Sequence, residues 1–454
     1  MKKQIVTVIG LGFVGFPTAC ILASCKNKKF QRKFKVNGID RKLNKIKKKI
    51  ININSKSGIL TEDKNLNKII KDVVKNNLIN FSDSLQNISK SDIVIVSVNF
   101  DFNNKSVSKS FNEIKYLFKE IGQKIKKKSM ILMETTIPPG TCDNIIIPIL
   151  RKTLKRRKIK IEDIYLNYSY ERVTPGKEYM NSIINNHRCY AGMNKSSALK
   201  CKNFLKQFIN YKRFSLFEFD KLIDCEAAKI LENSYRAINI AFIDEWTKYA
   251  NATKLNLNRV INAIKKRKTH SNIMSPGLGV GGYCITKDPD FINFSTKFFS
   301  NVRFNFPITN IAKKINESMP NTSINFIKSK IKNIRKKKVL ILGAAYKQDV
   351  SDTRYSPTVN LINYFKRKKI NFSIHDPVID IEEANKFSVL KKLPNLNNFN
   401  VILFCVGHSY YKNIRIKKLP KKPIYFDLNR VLSFSQIKLI KKRKLKLEIL
   451  GGNY

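Results

Sequence analysis

The chain has 454 residues, which is too long for one ordinary domain and predicts two to four domains. Its apolar content of 43% is enough to fill hydrophobic cores, so a wholly disordered protein is excluded. Lys and Arg number 88 against 33 Asp and Glu, yet this net charge of +55 is spread along the chain without a nucleic-acid-binding motif, so we expect no specific nucleic-acid partner.

The N-terminal segment predicts a strand, a glycine turn and a helix. Residues 4–9 form a β-branched apolar run typical of a buried parallel strand, and a helix is expected to about residue 24. Between them lies the glycine turn Gly10-Leu11-Gly12-Phe13-Val14-Gly15. Its first glycine allows a tight bend, its second lets backbone amides approach a pyrophosphate, and its third lets the helix pack closely on the strand. The whole turn, Phe13 and Val14 included, is therefore assigned to a cofactor.

A second predicted strand ends at Asp40, at the distance that a dinucleotide-binding fold requires. Its carboxylate would accept the hydroxyls of an adenosine ribose and repel a 2′-phosphate. This arrangement predicts NAD as the cofactor, although the neighbouring Arg41 leaves NADP open.

The same N-terminal segment also resembles a lipoprotein signal peptide or a membrane span. Residues 5–25 carry no charge, follow two lysines and end in Leu22-Ala23-Ser24-Cys25. However, three glycines and Pro17 interrupt the apolar run at the places where a strand, a turn and a helix need them. We therefore expect a cytoplasmic protein without membrane insertion.

Three blocks follow one another along the chain. Strands at 93–98 and 129–133 alternate with amphipathic lysine-rich helices and predict a doubly wound NAD-binding α/β domain over residues 1–210. Apolar residues then recur at helical spacing from Asp224 to about Lys266, which predicts a long helix or two in a central helical domain, residues 211–320. A second α/β domain, residues 321–454, is indicated by strand signals at 338–343, 371–376, 401–405 and 424–427.

A glycine-dense loop precedes a cysteine in the central block, and we call it the Cys284 loop: Pro276-Gly277-Leu278-Gly279-Val280-Gly281-Gly282-Tyr283-Cys284-Ile285-Thr286-Lys287-Asp288-Pro289. Its glycines would lay backbone amides against a ligand, and Cys284 would present a thiol. Alternatively, Cys284 is a small buried apolar residue and Asp288, a candidate base, is a helix cap. The eight cysteines include no C-x-x-C pair, which excludes a zinc ribbon, fits a reducing cytosol and predicts no metal.

Together these segments resemble the UDP-glucose/GDP-mannose dehydrogenase family, and more closely its UDP-N-acetylhexosamine 6-dehydrogenase branch. Motifs in the right order carry the resemblance nearly from end to end: Glu134-Thr135-Thr136-Ile137-Pro138-Pro139-Gly140-Thr141, Glu171-Arg172-Val173-Thr174-Pro175-Gly176, Glu226-Ala227-Ala228-Lys229-Ile230-Leu231-Glu232-Asn233, Ala345-Tyr346-Lys347, Asp352-Thr353-Arg354-Tyr355-Ser356-Pro357, His375-Asp376-Pro377 and His408. The resemblance implies two Rossmann-like doubly wound parallel-sheet domains joined by a central helical domain with a long helix. It also implies a homodimer through that helix.

The resemblance further implies an NAD-dependent four-electron oxidation of the C6 hydroxyl of a UDP-sugar to a uronic acid for surface polysaccharide. Cys284 as a thiolate would add to the intermediate aldehyde, and the thiohemiacetal would be oxidised to a thioester that water hydrolyses. Lys229 would stabilise oxyanions, Asn233 would hydrogen-bond the reacting oxygen, and Asp288 with Thr136 and Glu171 would hold the water.

Binding roles follow from the same resemblance. Arg354 and Thr136 would contact the cofactor. The residues assigned to the substrate are Glu171, Arg172, Lys229, Asn233, Gly279, Gly281, Gly282 and Lys347. The alternative for Lys229 and Asn233 is an ordinary exposed helix face, and for Lys347 and Arg354 it is more surface charge.

The sequence departs from the family at three places. Val98-Asn99-Phe100-Asp101 replaces a Thr-Pro pair near the cofactor, Tyr283 stands where the branch more often has His, and His270 stands where it often has Arg. The sugar is therefore open, with UDP-glucose 6-dehydrogenase as one alternative. The other is a basic nucleic-acid- or membrane-associated protein with an inactive dehydrogenase fold, against which the retained catalytic residue types argue.

Overall fold

The structure is a computed structural model and describes residues 3–41, 43–44, 46, 61–102, 107–300, 302 and 304–452. The chain divides into two compact units. The first comprises Met1–Glu232 with Asp290–Asn305, and the second comprises Asn233–Pro289 with Phe306–Tyr454. The three-domain division at residues 210 and 320 stays a prediction.

The first unit contains an eight-stranded sheet in the order β3-β2-β1-β4-β5-β6-β7-β8. Its strands are β1 (Gln4–Ile9), β2 (Phe34–Ile39), β3 (Ile79–Ser82), β4 (Ile93–Val96), β5 (Met130–Met133), β6 (Tyr165–Tyr168), β7 (Arg188–Gly192) and β8 (Leu216–Phe219). All neighbours pair in parallel except β6 with β7. The strand order reverses between β1 and β4, which is where such folds bind their ligands.

The second unit contains a six-stranded, wholly parallel sheet in the order β11-β10-β9-β12-β13-β14. Its strands are β9 (Val339–Leu342), β10 (Phe372–His375), β11 (Val389–Leu390), β12 (Val401–Phe404), β13 (Ile424–Asp427) and β14 (Leu447–Ile449). This order matches the first six strands of the other sheet, so the prediction of two doubly wound folds is confirmed.

Helices cover both faces of each sheet. In chain order they are α1 (Gly15–Ser24), α2 (Lys64–Lys75), α3 (Val107–Lys124), α4 (Ile147–Lys155), α5 (Tyr179–Ile184), α6 (Lys195–Leu205), α7 (Leu222–Thr253), α8 (Leu257–Ile264), α9 (Pro289–Phe298), α10 (Pro307–Lys330), α11 (Pro357–Arg367), α12 (Ile381–Phe387), α13 (Ser409–Lys412) and α14 (Phe434–Lys442). Adjacent strand residues point to opposite faces. Val8 therefore packs in one apolar cluster and Ile9 in another.

The N-terminal segment forms a strand, a turn and a helix, as the glycine spacing predicts. Residues 15–23 of α1 are buried, and Val6 and Val8 of β1 are inaccessible to solvent. Among the described residues, no helix is both long enough and apolar enough to cross a membrane.

The sequence predicted one long helix or two in the central stretch, and the structure has two, α7 and α8. The chain breaks between them at Lys254, whose φ of +60° is left-handed and ends the helix. The side chain of Asn256 then accepts a hydrogen bond from the amide of Arg259 at 3.2 Å and begins α8.

Candidate active site

The glycine turn lies at the carboxyl end of β1, beside the end of β4. Gly10 has a left-handed φ of +91°, and a Cβ there would lie 2.6 Å from the carbonyl oxygen of Ser97. A Cβ on Gly15 would lie 1.9 Å from the carbonyl oxygen of Gly10. Gly12 is different, because a Cβ there would meet no protein atom within 4 Å. The protein's own packing therefore requires Gly10 and Gly15, whereas Gly12 suits the close approach of a ligand.

The acidic residue at the end of β2 faces this turn. The Oδ2 atom of Asp40 accepts a hydrogen bond from the amide of Leu11 at 2.8 Å. The carbonyl of Phe13 accepts another from the hydroxyl of Tyr179, which fixes the middle of the turn. Arg41 forms a surface ion pair with Glu113 at 3.2 Å. The turn, its amides and the Asp40 carboxylate thus fit NAD. The Arg41 side chain pairs with Glu113.

A buried arginine joins two carboxylates in the first unit, and we call Glu134, Glu171 and Arg188 the Arg188 cluster. Arg188 donates from Nη2 to Glu134 at 2.6 Å and forms a second ion pair through Nη1 with Glu171. The side chains of all three are at most 5% exposed. Burial and the neighbouring Glu171 together raise the pKa of Glu134 to about 8, although the charge of Arg188 opposes the rise. Glu134 stands in a family motif without an assigned role and Arg188 in no motif, so this cluster was not predicted.

Lys229 lies next to this cluster on α7. Its Nζ atom donates to the backbone carbonyl of Glu171 at 2.8 Å and lies 5.5 Å from the ring centroid of Tyr170. Glu171 therefore meets Lys229 through its backbone and Arg188 through its side chain. Its proposed role in holding water, and its contact with substrate, stay predictions.

Arg172 forms an ion pair with Glu232 of α7. Its Nε atom donates to the two carboxylate oxygens of Glu232 at 3.0 and 3.2 Å, and its Nη2 donates to the hydroxyl of Tyr170 at 2.8 Å. Burial opposes ionisation of Glu232, but the hydrogen bonds from Arg172 hold its pKa below the usual range. The contact of Arg172 with substrate stays a prediction.

Glu226, one turn before Lys229, holds the loop that follows β5. Its carboxylate accepts hydrogen bonds from the amides of Gly140 at 2.5 Å and Cys142 at 2.9 Å, and it is fully buried. Thr136, predicted to contact water and cofactor, lies partly exposed in the same connection. Glu226 appeared in a family motif without a role, because only its contacts reveal what it does.

In the second unit, Cys284 is the exposed thiol. All eight cysteines lie within the described residues; six of the others are buried and Cys25 is partly so. Asp288 is fully buried and accepts hydrogen bonds from Asn233 at 2.7 Å and from the Lys287 ammonium at 2.8 Å. The interpretation of Cys284 as a buried apolar residue is therefore wrong. The structure brings Asn233 into contact with Asp288 of the Cys284 loop.

The loop's glycines pack against their own unit. A Cβ on Gly279 or Gly281 would lie 2.9 or 2.8 Å from Pro357, and one on Gly282 would lie 2.7 Å from the ring of Tyr346. Packing thus accounts for these glycines, and their contact with substrate stays a prediction.

Two cations with predicted binding roles, Lys347 and Arg354, also lie in the second unit. Burial lowers the pKa of Lys347, and the charge of Arg236 lowers it further. Arg354 forms an ion pair with Asp352 at 2.7 Å and lies 5.5 Å from the ring centroid of Tyr283. Lys287 lies 4.5 Å from the same centroid, so the departure at Tyr283 supplies an aromatic face to two cations.

The other two departures have structural roles of different kinds. Phe100 is buried, with its ring 4.9 Å from that of Phe111 and 5.6 Å from that of Phe291, so the missing Thr-Pro pair is replaced by an aromatic core contact. His270 is exposed and its Nδ1 atom lies 2.8 Å from the hydroxyl of Thr269.

A doubly wound sheet with an amide-presenting glycine turn at its switch point, and an acidic residue closing the second strand, is the architecture of an NAD-dependent dehydrogenase. The chain belongs to the UDP-glucose/GDP-mannose dehydrogenase family. The family's NAD binding domain matches residues 4–209, its central domain matches 224–318, and its UDP binding domain matches 340–434. The protein is therefore an NAD-dependent nucleotide-sugar dehydrogenase with a UDP-sugar as substrate.

Individual relatives agree with this assignment. The chain is 30% identical to a UDP-N-acetyl-D-mannosamine dehydrogenase of Methanococcus vannielii, covering 99% of this chain and 98% of the relative. It is 28% identical to one of Campylobacter jejuni, covering 94% and 98%. The solved UDP-N-acetyl-mannosamine dehydrogenase of Staphylococcus aureus is similar with a TM-score of 0.75 at 26% identity, covering 99% and 98%. A UDP-glucose dehydrogenase of Pyrobaculum islandicum shares the fold, with a TM-score of 0.79 at 18% identity over 100% and 98% of the chains.

Proposed function

We propose that the enzyme oxidises the C6 hydroxyl of a UDP-N-acetylhexosamine, with UDP-N-acetylmannosamine as the first candidate, to the carboxylate. The observation that carries the chemistry is the exposed thiol of Cys284 in a loop whose buried Asp288 is bonded to Asn233. The sugar rests on the names of the relatives from Methanococcus vannielii and Campylobacter jejuni. The uronic acid would serve a surface polysaccharide.

NAD, when bound, supplies the hydride acceptor for each of the two oxidations. In the first oxidation the hydroxyl loses its proton and C6 loses a hydride, which gives an aldehyde. Lys229 suits the stabilisation of the developing alkoxide, because its ammonium is held by a neutral carbonyl rather than by a carboxylate. Asn233, one helical turn further along α7, would donate to the reacting oxygen.

In the second oxidation the thiolate of Cys284 adds to the aldehyde carbon. The C–S bond forms as the carbonyl π pair moves to oxygen, and loss of a hydride from that carbon gives a thioester. Water then adds, the thiolate leaves, and the carboxylate product is released. Asp288 is the proposed water-orienting base, since its two oxygens are fixed by Asn233 and Lys287. The family resemblance also assigns Thr136 and Glu171 to the reacting water.

We also propose a homodimer through α7. Large apolar side chains on this helix are between 43% and 71% exposed, and they recur at helical spacing: Leu231, Tyr235, Phe242, Trp246 and Tyr249. Such a stripe on a water-soluble surface marks an interface, and a second copy of the chain presents the same stripe. Light scattering of the purified protein tests this. A monomer at micromolar concentration would contradict it.

A substrate panel tests the function. The enzyme is incubated with NAD and, separately, with UDP-N-acetylmannosamine, UDP-N-acetylglucosamine or UDP-glucose. We expect two NADH per molecule of the first sugar and a lower kcat/KM with the others. Preference for UDP-glucose would replace the proposed sugar and leave the chemistry intact.

A further inference from the structure

The second sheet repeats the geometry of the NAD-binding turn. Gly343 follows β9 with a left-handed φ of +96°, as Gly10 follows β1. Asp376 follows β10, and its Oδ2 atom accepts hydrogen bonds from the amides of Ala344 at 2.7 Å and Ala345 at 3.1 Å. In the first sheet Asp40 accepts the amide of Leu11 in the same way. Both folds therefore hold an acidic residue against the turn after their first strand.

The two carboxylates differ in what else they meet. Asp40 is partly exposed, whereas Asp376 is fully buried and accepts a hydrogen bond from the Nε2 atom of His408 at 3.1 Å. Its Oδ1 atom also accepts the amides of Val378 at 2.9 Å and Ile379 at 3.3 Å. Burial opposes ionisation, but His408 and the amides outweigh it and hold the pKa of Asp376 well below its usual range. Asp376 is thus enclosed by protein donors and cannot serve ribose hydroxyls as Asp40 would.

The other ring nitrogen of His408 bonds the far end of the same segment. The amide of Asp349 donates to Nδ1 at 2.9 Å, so Nδ1 is an acceptor and the proton of the neutral ring is assigned to Nε2. The Asp349 carboxylate in turn accepts the amide of Ser409 at 2.8 Å and its hydroxyl at 2.6 Å. One buried imidazole therefore connects both ends of residues 344–349, which we call the Lys347 segment.

The Lys347 segment carries two residues that matter to the proposed site. Lys347 is the predicted substrate contact. Tyr346, beside it, packs its ring against Gly282 of the Cys284 loop, and its amide donates to the carbonyl of Asp352 at 2.8 Å. A shift of this segment would therefore move both the lysine and the support of the Cys284 loop.

We propose that Asp376 and His408 are positioning residues, which hold the Lys347 segment in the conformation that receives the UDP-sugar. The second doubly wound fold uses its acidic residue as an internal anchor for a substrate segment, where the first fold uses the equivalent residue for a cofactor. This inference rests on the proposed role of Lys347 in binding the substrate.

A matched pair of variants tests it on the full-length enzyme. His408→Gln keeps a donor near the Nε2 position but loses the acceptor for the Asp349 amide. His408→Asn keeps an acceptor near Nδ1 but loses the bond to Asp376. Because the Asp349 bond is the one next to Lys347, we expect His408→Gln to raise the KM for the UDP-sugar about tenfold or more, and His408→Asn to raise it less. The KM for NAD should stay within about twofold of wild type.

Lys347→Ala and His187→Gln are the reference variants. His187 is an exposed histidine, with Nδ1 2.9 Å from the hydroxyl of Ser215, and its replacement should change neither KM. If Lys347→Ala raises the KM for the UDP-sugar and His408→Gln does not, the positioning role is wrong. If Lys347→Ala has no effect, the proposed role of Lys347 itself fails.

A purely structural role predicts a different pattern. It would lower the melting temperature and change both KM values together, with the two histidine variants equivalent. Should His408→Gln fail to fold, Asp376→Asn serves in its place. Oδ2 of Asp376 accepts the turn amides and the Nε2 atom of His408, and Oδ1 accepts the amides of Val378 and Ile379, so the NH2 of an asparagine opposes donors in either orientation. A wild-type KM for the UDP-sugar in folded Asp376→Asn would also overturn the proposal.

Discussion

Replacing Arg188 with methionine is expected to destabilise the enzyme more than any single change at its surface. Arg188 is 4% exposed and is bonded to Glu134, to Glu171 and, at 3.0 Å, to the hydroxyl of Ser169. Methionine fills much of the same volume but neutralises neither carboxylate. The Glu171 charge would then be left buried without its cation.

Breaking a buried ion pair by removing one partner costs about 3–5 kcal/mol. For a unit of this size, each kcal/mol lowers the melting temperature by about 2–4 °C, so Arg188→Met should melt roughly 10 °C below wild type. Arg41→Met is the matched control. Arg41 is 80% exposed and its partner Glu113 is 36% exposed, so this pair contributes about 0–1 kcal/mol.

Differential scanning calorimetry of the two variants and the wild type measures these shifts directly. The expected order is a large loss for Arg188→Met and a shift of at most a few degrees for Arg41→Met. If both variants melt within about 2 °C of wild type, the buried cluster contributes no more than a surface pair and the reasoning is refuted.

Three further predictions follow from individual residues. Because burial raises the pKa of Glu134 to about 8, the folded state keeps a proton that the unfolded state loses, so stability should fall as the pH rises from about 4.5 through 8; Glu134→Gln should reduce this slope, and an unchanged slope in calorimetry would contradict it. Gly12→Ala should keep the wild-type melting temperature and raise the KM for NAD, because its Cβ meets no protein atom within 4 Å; a lower melting temperature with an unchanged KM would show that Gly12 serves packing. Asp288→Asn should lower kcat about 10²-fold or more with little change in the KM for NAD, and a wild-type kcat would remove Asp288 from the proposed water site.

The fold was largely predictable because its signals are local. The glycine turn follows an apolar strand directly, and most of the second sheet's strands stand out as runs such as Val401–Phe404. The first sheet extends to β8, at Leu216–Phe219, beyond residue 210, where the predicted NAD-binding domain ends. That strand is half-exposed and only four residues long, so it carries no apolar run.

The site was less predictable, because its contacts join residues that are distant in the sequence. Glu134 and Arg188 stand 54 residues apart, and nothing local in the sequence indicates that they pair. The spacing of Lys229 and Asn233 places them on one helical face but cannot tell a solvated face from a site. Conversely, the glycines of the Cys284 loop suggested ligand contact, whereas Pro357 and Tyr346 pack closely enough to require them.

The most direct test of the central claim is the yield of NADH per molecule of UDP-N-acetylmannosamine under limiting sugar, for wild type and Cys284→Ala. We expect two NADH and a carboxylate from the wild type, and no carboxylate from Cys284→Ala. One NADH per sugar from wild type, or carboxylate formed at the normal rate by Cys284→Ala, would contradict it.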